Sequence, residues 1–373
     1  MKLMRNTIKD LMEITVLGTG TSSHQMVSYV IKKFLEQAEI PFTLKDESDI
    51  ATFLQRDLVS IPCVQIGDEY LPVESNGNFN KSLRVAVKHI LKKQNFGNMK
   101  KIIIPVDFSD VSSNAFMYGH RLATDIDAIV KALHVYLPTS KELYEATVVD
   151  VDFIEMRKAK LENFVNDFDK DWGSDIMATS IVDSEFRTGF PGEEILDSLK
   201  ENDAELIIMG STGDSGPLKK WFGSVSTKVM QESLCPVLLV PENAGYKGVH
   251  NLLYAYDDIE LDVSILNELV DFSSKFDTVI HFVHVNETET PDPGYYLEEV
   301  FKSKYPNQKI KIATINNDNV VESLDKYAKE NKIDIISMGT KNRSFFESFF
   351  HESMTTKMAL HSEIPLLILK DQD

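Results

Sequence analysis

What most constrains the fold of this chain is that the greater part of it reads twice. "KIIIPVDFSD" at 101–110 is echoed by "NLLYAYDDIE" at 251–260, each an apolar run reaching an aspartate, Asp107 and Asp257. A His-Val pair follows 27 residues beyond each aspartate, closing "LHV" at 133–135 and "VHV" at 283–285. Residues 197–211 align without a gap to 326–340, which sets Gly210 opposite Gly339. From either glycine it is 26 residues to a proline that opens an apolar strand, "PVLLV" at 236–240 and "PLLIL" at 365–369. Equal offsets at four landmarks define tandem copies of one domain, 98–245 and 246–373. Within a copy, short apolar runs alternate with helical stretches such as 156–172 and 192–202, the pattern of βαβ units around a parallel sheet.

The first 97 residues have a different grain. They read as strand 13–19, helix 22–39, strand 42–46, a short helix, strands 60–67 and 69–73, and a helix at 80–95. Charge marks the same boundary: this stretch holds 12 Lys and Arg against 11 Asp and Glu, and the remainder holds 27 against 47. The net charge of −19 speaks against a nucleic-acid partner or an anionic membrane, because phosphate neutralisation needs clustered Lys and Arg. No run approaches the ~20 apolar residues of a membrane span, and the N-terminus lacks a signal peptide's apolar segment, so a cytoplasmic location is expected. Two cysteines, Cys63 and Cys235, lack a CxxC spacing and are expected to be reduced thiols.

One stretch is dense in glycine. "MGSTGDSGPLKKWFGSVSTKV" at 209–229 carries Gly210, Gly213, Gly216 and Gly223, between the strand "AELIIM" and a helix that includes "SVSTKVMQESL". Glycines where a strand hands over to a helix let several backbone N–H groups face one anion, aided by the helix N-terminus. The spacing is neither GxxxxGK[ST] nor GxGxxG, so the common nucleotide fingerprints are not met, and a plain glycine loop is the alternative.

Taken with "IIIPVDFSD" and "LHV", this stretch resembles the universal stress protein family in its ATP-binding branch, over residues 98–373 as two family domains. The resemblance implies an α/β, Rossmann-like fold of the adenine nucleotide alpha hydrolase type, each copy a five-stranded parallel sheet of order 3-2-1-4-5. It places Pro105, Val106, Asp107 and Val135 at the adenine and ribose end of a pocket for ATP, with or without Mg2+, and Met209 and Gly210 beside the ribose. Gly213, Gly223, Ser224 and Val225 would cradle the phosphates, where the Ser224 hydroxyl adds a donor. Asp107 could equally cap the following helix. His134 reads as a strand-end packing residue rather than a base, and Lys219 and Lys220 either attract phosphate or form a solvated pair.

The second copy departs from this pattern. It keeps Gly339 and Ser353, but has Asn342 and Glu352 for the second and third glycines and Ala255 for the proline. A carboxylate beside a triphosphate is like-charge repulsion at close range, so no ATP site is expected there. Its role would be that of a built-in partner, the two copies pairing through their last strands; a further homodimer stays open. The N-terminal order βαβαββα, with Pro62 at the mouth of the third strand, resembles a thioredoxin or glutaredoxin-like domain. Thr21 and His24 stand where that family has its CxxC, so dithiol exchange is not expected. Cys63 beside Pro62 is either a buried strand residue or a single reactive thiol, the latter making a redox sensor or thiol enzyme; Cys235 reads as core.

The expected function is therefore that of a nucleotide-binding regulatory protein with an unknown protein partner. No general base poised at a γ-phosphate is evident, so binding, or at most slow hydrolysis, is favoured over an ATPase.

Overall fold

The computed structural model describes residues 12–37, 42–48, 62–73, 82–83, 86, 100–126, 128–138, 151–170, 182–211, 224–256, 263–286, 294–317, 319–339 and 363–370. The chain divides into two compact units, 1–99 with 169–181, and 100–168 with 182–373. In the first unit, strand β1 (Met12–Leu17), helix α1 (Ser22–Gln37), β2 (Phe42–Glu47), β3 (Cys63–Ile66) and β4 (Glu69–Pro72) follow in order. The four strands stand as β2-β1-β3-β4, with β1 parallel to β2 and antiparallel to β3. Val27, Ile31 and Leu35 recur at helical spacing on α1 and pack with Ile14, Val16 and Val64 as one core. The short helix expected after β2 lies outside the described residues, as does most of the helix at 80–95.

The second unit begins with β5 (Lys101–Pro105), helix α2 (Asp110–Asp125), β6 (Ile129–Tyr136), α3 (Val151–Lys170) and β7 (Val182–Thr188). There follow α4 (Pro191–Asn202), β8 (Leu206–Gly210), α5 (Ser224–Glu232) and β9 (Val237–Val240). The second copy repeats the succession as β10 (Asn251–Tyr256), α6 (Val263–Ser273), β11 (Val279–Asn286), α7 (Gly294–Lys304), β12 (Lys309–Asn316), α8 (Val320–Glu330), β13 (Ile335–Gly339) and β14 (Leu366–Leu369). Among the described residues these strands form one ten-stranded sheet, β12-β11-β10-β13-β14-β9-β8-β5-β6-β7. The two halves are thus one mixed sheet rather than two separate parallel ones. Each half is parallel internally, and β9 runs antiparallel to β14, pairing Leu239 with Leu366 and Val237 with Ile368.

The central strands are covered on both faces, and β9 and β14 accordingly read as unbroken apolar runs, whereas the edge strands β7 and β12 are partly exposed and mix polar with apolar residues. Side chains alternate between the faces. Leu238, Val240, Leu367 and Leu369 enter a core with Phe116, Leu122 and Leu161, whereas Val237, Leu239, Leu366 and Ile368 enter the opposite core with Leu196, Leu199 and Val229. Local signals set the helix ends. Ser109 caps α2 by accepting from the Ser112 amide at 3.2 Å, and α4 opens on Pro191 and ends on a left-handed Asp203 with φ 51°. Among the described residues no helix is long and apolar enough to cross a membrane.

The seam between the copies carries one charged cluster. The Lys370 ammonium, buried just beyond β14, donates to the Met230 carbonyl near the end of α5, where the helix dipole favours a cation. The Lys370 backbone amide donates to Glu268 Oε2 of α6 at 2.5 Å. Burial pushes the Glu268 carboxyl up to about 7 and holds the Lys370 ammonium down at about 8. For Glu268 the folded pKa exceeds the unfolded one, so its contribution is fully present at acid pH and is lost as pH rises through about 7. Glu268→Gln removes the charge while keeping the acceptor. Thermal melting of the two proteins should coincide near pH 4, with the variant melting a few degrees higher at pH 9, for a gain of roughly 1–3 kcal/mol. A parent protein that is the more stable one at pH 9 would contradict the assignment.

Candidate functional site

From β5 the chain moves to β6 and β7 on one side and to β8 and β9 on the other, so the strand order reverses between β5 and β8. Ile103 pairs with Ile207 and Pro105 with Leu133. Beyond these pairs the carboxyl ends of β5 and β8 are where a crevice opens in sheets of this kind. Val135, Met209 and Val225 pack against the same core, on the face covered by α4 and α5. Pro105, two residues beyond Ile103, is on that face by alternation. Gly210 ends β8, and Ser224, exposed, opens α5. Six of the residues expected from the sequence therefore share one end of one half of the sheet. Gly213, Gly223, Lys219 and Lys220 lie outside the described residues.

Val106 and Asp107 play parts the sequence did not reveal. Val106 faces the opposite core; its amide donates to the Leu133 carbonyl at 2.8 Å and its carbonyl accepts from His134 Nδ1 at 2.7 Å. A carbonyl can only accept, so the His134 proton sits on Nδ1. The second copy repeats the bond, His284 Nδ1 to the Tyr256 carbonyl at 3.0 Å. An imidazole kept in both copies, while the second and third glycines are kept in one, is a clamp on the strand end rather than part of a ligand motif. Asp107 does not cap α2: Ser109 does, and the Asp107 carboxylate accepts from the Ser109 amide at 3.0 Å and hydroxyl at 2.6 Å, shaping the turn. Between them Phe108 takes a left-handed φ of 67°, costly for a bulky residue. Its ring is held by His134 at 4.5 Å, Phe164 at 5.6 Å and the Lys160 ammonium at 4.1 Å.

In the first unit, the amide of Gly20 donates to His24 Nδ1 at 3.1 Å, leaving the Nε2 proton facing the Val16 carbonyl at 3.3 Å and the Asp46 carboxylate at 3.4 Å. Thr21, just before α1, accepts from the His24 amide through Oγ1 at 3.5 Å. Cys63 is buried at the start of β3, and burial pushes its thiol up to about 11, which removes the thiolate that a reactive cysteine needs. Cys235 is half-buried rather than core. It stands on the wall of a cleft of about 770 Å3 that also takes in Leu206, Leu234, Phe272 and Lys275. That cleft opens at the amino ends of the strands, away from the crevice beyond β5 and β8. Among the described residues no group of three or more His, Cys, Asp or Glu could hold a metal ion.

The universal stress protein family matches this chain at residues 98–241 and 248–370. Universal stress protein YxiE of Bacillus subtilis is 34% identical over 148 residues, spanning 38% of this chain and 97% of that protein. Universal stress protein Slr1230 of Synechocystis is 23% identical over 301 residues, spanning 73% of this chain and all of the relative, 100%. Among solved structures, a universal stress protein from Archaeoglobus fulgidus superposes with a TM-score of 0.54 at 18% identity, covering 72% of this chain and 98% of the other, a likeness of fold.

The His134 clamp makes a spectroscopic prediction. Burial, with Arg157 and Lys160 nearby, lowers the His134 pKa against the raising effect of its bond to Val106. A folded pKa below the unfolded one means the stabilisation is present above about pH 6.5 and is lost as pH falls through the lowered value. Nitrogen-15 NMR at pH 7 should find His134 neutral and protonated on Nδ1, titrating only below 6.5. An imidazolium at pH 7, or a proton on Nε2, would refute the clamp.

Proposed function

Since the chain belongs to the universal stress protein family, we propose that it is an ATP-binding regulatory protein whose first copy holds the nucleotide and whose partners read the resulting arrangement of its domains. The observation that carries this reading is the helix start at Ser224, placed at the carboxyl end of the sheet on the same face as Val135 and Met209. The first turn of a helix offers N–H groups without intrahelical acceptors, and anions settle there. No acidic residue stands in the first turn of α5 to compete for them.

In this reading Pro105, Asp107 and Val135 bound the adenine and ribose, with Met209 and Gly210 beside the ribose, while Val106, turned into the opposite core, fixes the strand end between them. Gly213, Gly223, Ser224 and Val225 hold the phosphates. A Mg2+ ion would accompany the nucleotide by neutralising phosphate charge. Binding is favoured over turnover: His134, the imidazole nearest in sequence to these residues, gives its Nδ1 proton to the Val106 carbonyl, and its basic Nε2 is buried away from solvent. The strand run β7-β6-β5-β8-β9 supports the family order 3-2-1-4-5 for each copy.

The second copy, with Ala255, Asn342 and Glu352, serves as the internal partner and takes no nucleotide. The order β2-β1-β3-β4 supports a thioredoxin-like fold for the first unit, acting as an interaction surface in the cytoplasm. The thiol alternative loses weight with the raised pKa of Cys63.

Gly223→Glu gives the first copy the acidic residue of the second. Calorimetric titration of the full chain should show ATP affinity falling by roughly 100-fold or more, through repulsion and the added Cβ. A variant that binds ATP as the parent does would overturn the assignment, and phosphate release at tens per second, abolished by Ser224→Ala, would overturn the choice of binding over catalysis.

A further inference from the structure

The start of α4 borders the proposed nucleotide site on the side opposite Gly210. The Gly189 amide donates to the Tyr136 carbonyl at 3.0 Å, so the turn into α4 sits one residue past Val135. The first turn of α4 also lies against α5. Lys228 of α5 bonds Glu193 at 2.8 Å, and a Cβ on Gly192 would meet the Lys228 side chain at 2.7 Å. Phe190, the N-cap of α4, follows Gly189 directly and so stands at the carboxyl end of β7, beside the end of β6 that carries Val135.

This residue makes no structural sense as a cap. N-caps are normally Ser, Thr, Asp or Asn, and Phe190 makes no side-chain capping bond. Its ring belongs to no core cluster and is 67% exposed. Nor is this end of α4 a second phosphate site, because Glu193 and Glu194 occupy its first turn and satisfy its dipole. What this position offers is a bare aromatic face, which suits a flat heterocycle and not an anion.

We infer that Phe190 is a specificity-determining residue of the nucleotide site, its ring stacking on the purine base while α5 holds the phosphates. The inference rests on the ATP-binding reading above and adds a base-selecting contact that the glycine motif does not contain. Stacking is indifferent to hydrogen-bonding pattern, so this contact favours large purines over pyrimidines by ring area.

The test compares ATP with inorganic triphosphate on the full chain, using the parent, Phe190→Ala and Phe190→Tyr. Losing one base-aromatic stack should weaken ATP about tenfold in Phe190→Ala, leave triphosphate unchanged, and be restored by Phe190→Tyr. Equal affinity for ATP in parent and Phe190→Ala, or an equal loss for both ligands, overturns the inference while leaving the site itself standing. A parent that binds no ATP brings down the nucleotide reading and this contact together. Phe190→Trp gives a second readout, judged against the parent because Trp221 lies within the glycine stretch. ATP should quench the added emission and triphosphate should not; emission indifferent to ATP counts against stacking.

Discussion

The tandem part of this molecule depends on a single antiparallel seam, Val237–Leu239 of β9 against Leu366–Ile368 of β14. A strand as apolar as either of these, left as a free edge with unpaired backbone groups, would template aggregation. Paired, each removes the other's edge, and the alternation of their side chains carries both cores across from one copy to the next. Lys370 and Glu268 are the polar cost of that closure, kept inside because the Lys370 backbone amide donates to the Glu268 carboxylate while its ammonium finds the end of α5.

Helix α5 links the seam to the chemistry. Its first residue, Ser224, stands at the crevice, and the carbonyl of Met230, two residues before its end, receives the Lys370 ammonium of the other copy. The helix therefore touches the proposed phosphate position at one end and the second copy at the other. That arrangement gives the degenerate copy a use even though its own motif has Glu352 where a glycine is needed. It is a fixed half-sheet against which the first copy is set.

Much of this was legible from residue spacing. The equal offsets from Asp107 and Asp257 to His134 and His284 announced the duplication, and short apolar runs between helical stretches announced an α/β fold. Single residues whose role depends on a neighbour distant in sequence were not legible. Nothing near Val106 says that its carbonyl is claimed by an imidazole 28 positions on, although the recurrence of that histidine in a copy that has lost the second and third glycines was a usable signal. Asp107 resembled a cap because Asp is a good one, but the intervening Phe108 bends the backbone to positive φ and hands the cap to Ser109. Phe190 could not be singled out because "GFPGEE" reads simply as a helix start, and its exposure is a property of the packed structure. Glu268 and Lys370 are 102 positions apart, and nothing in the sequence brings them together.

The proposed function makes the molecule asymmetric: two homologous copies, one nucleotide. Native mass spectrometry of the full chain equilibrated with ATP measures it directly, by counting bound nucleotides on each polypeptide. The account predicts a single occupied species carrying one ATP per chain, saturating without a second step. Two ATP molecules per chain, or none across the whole titration, would contradict it.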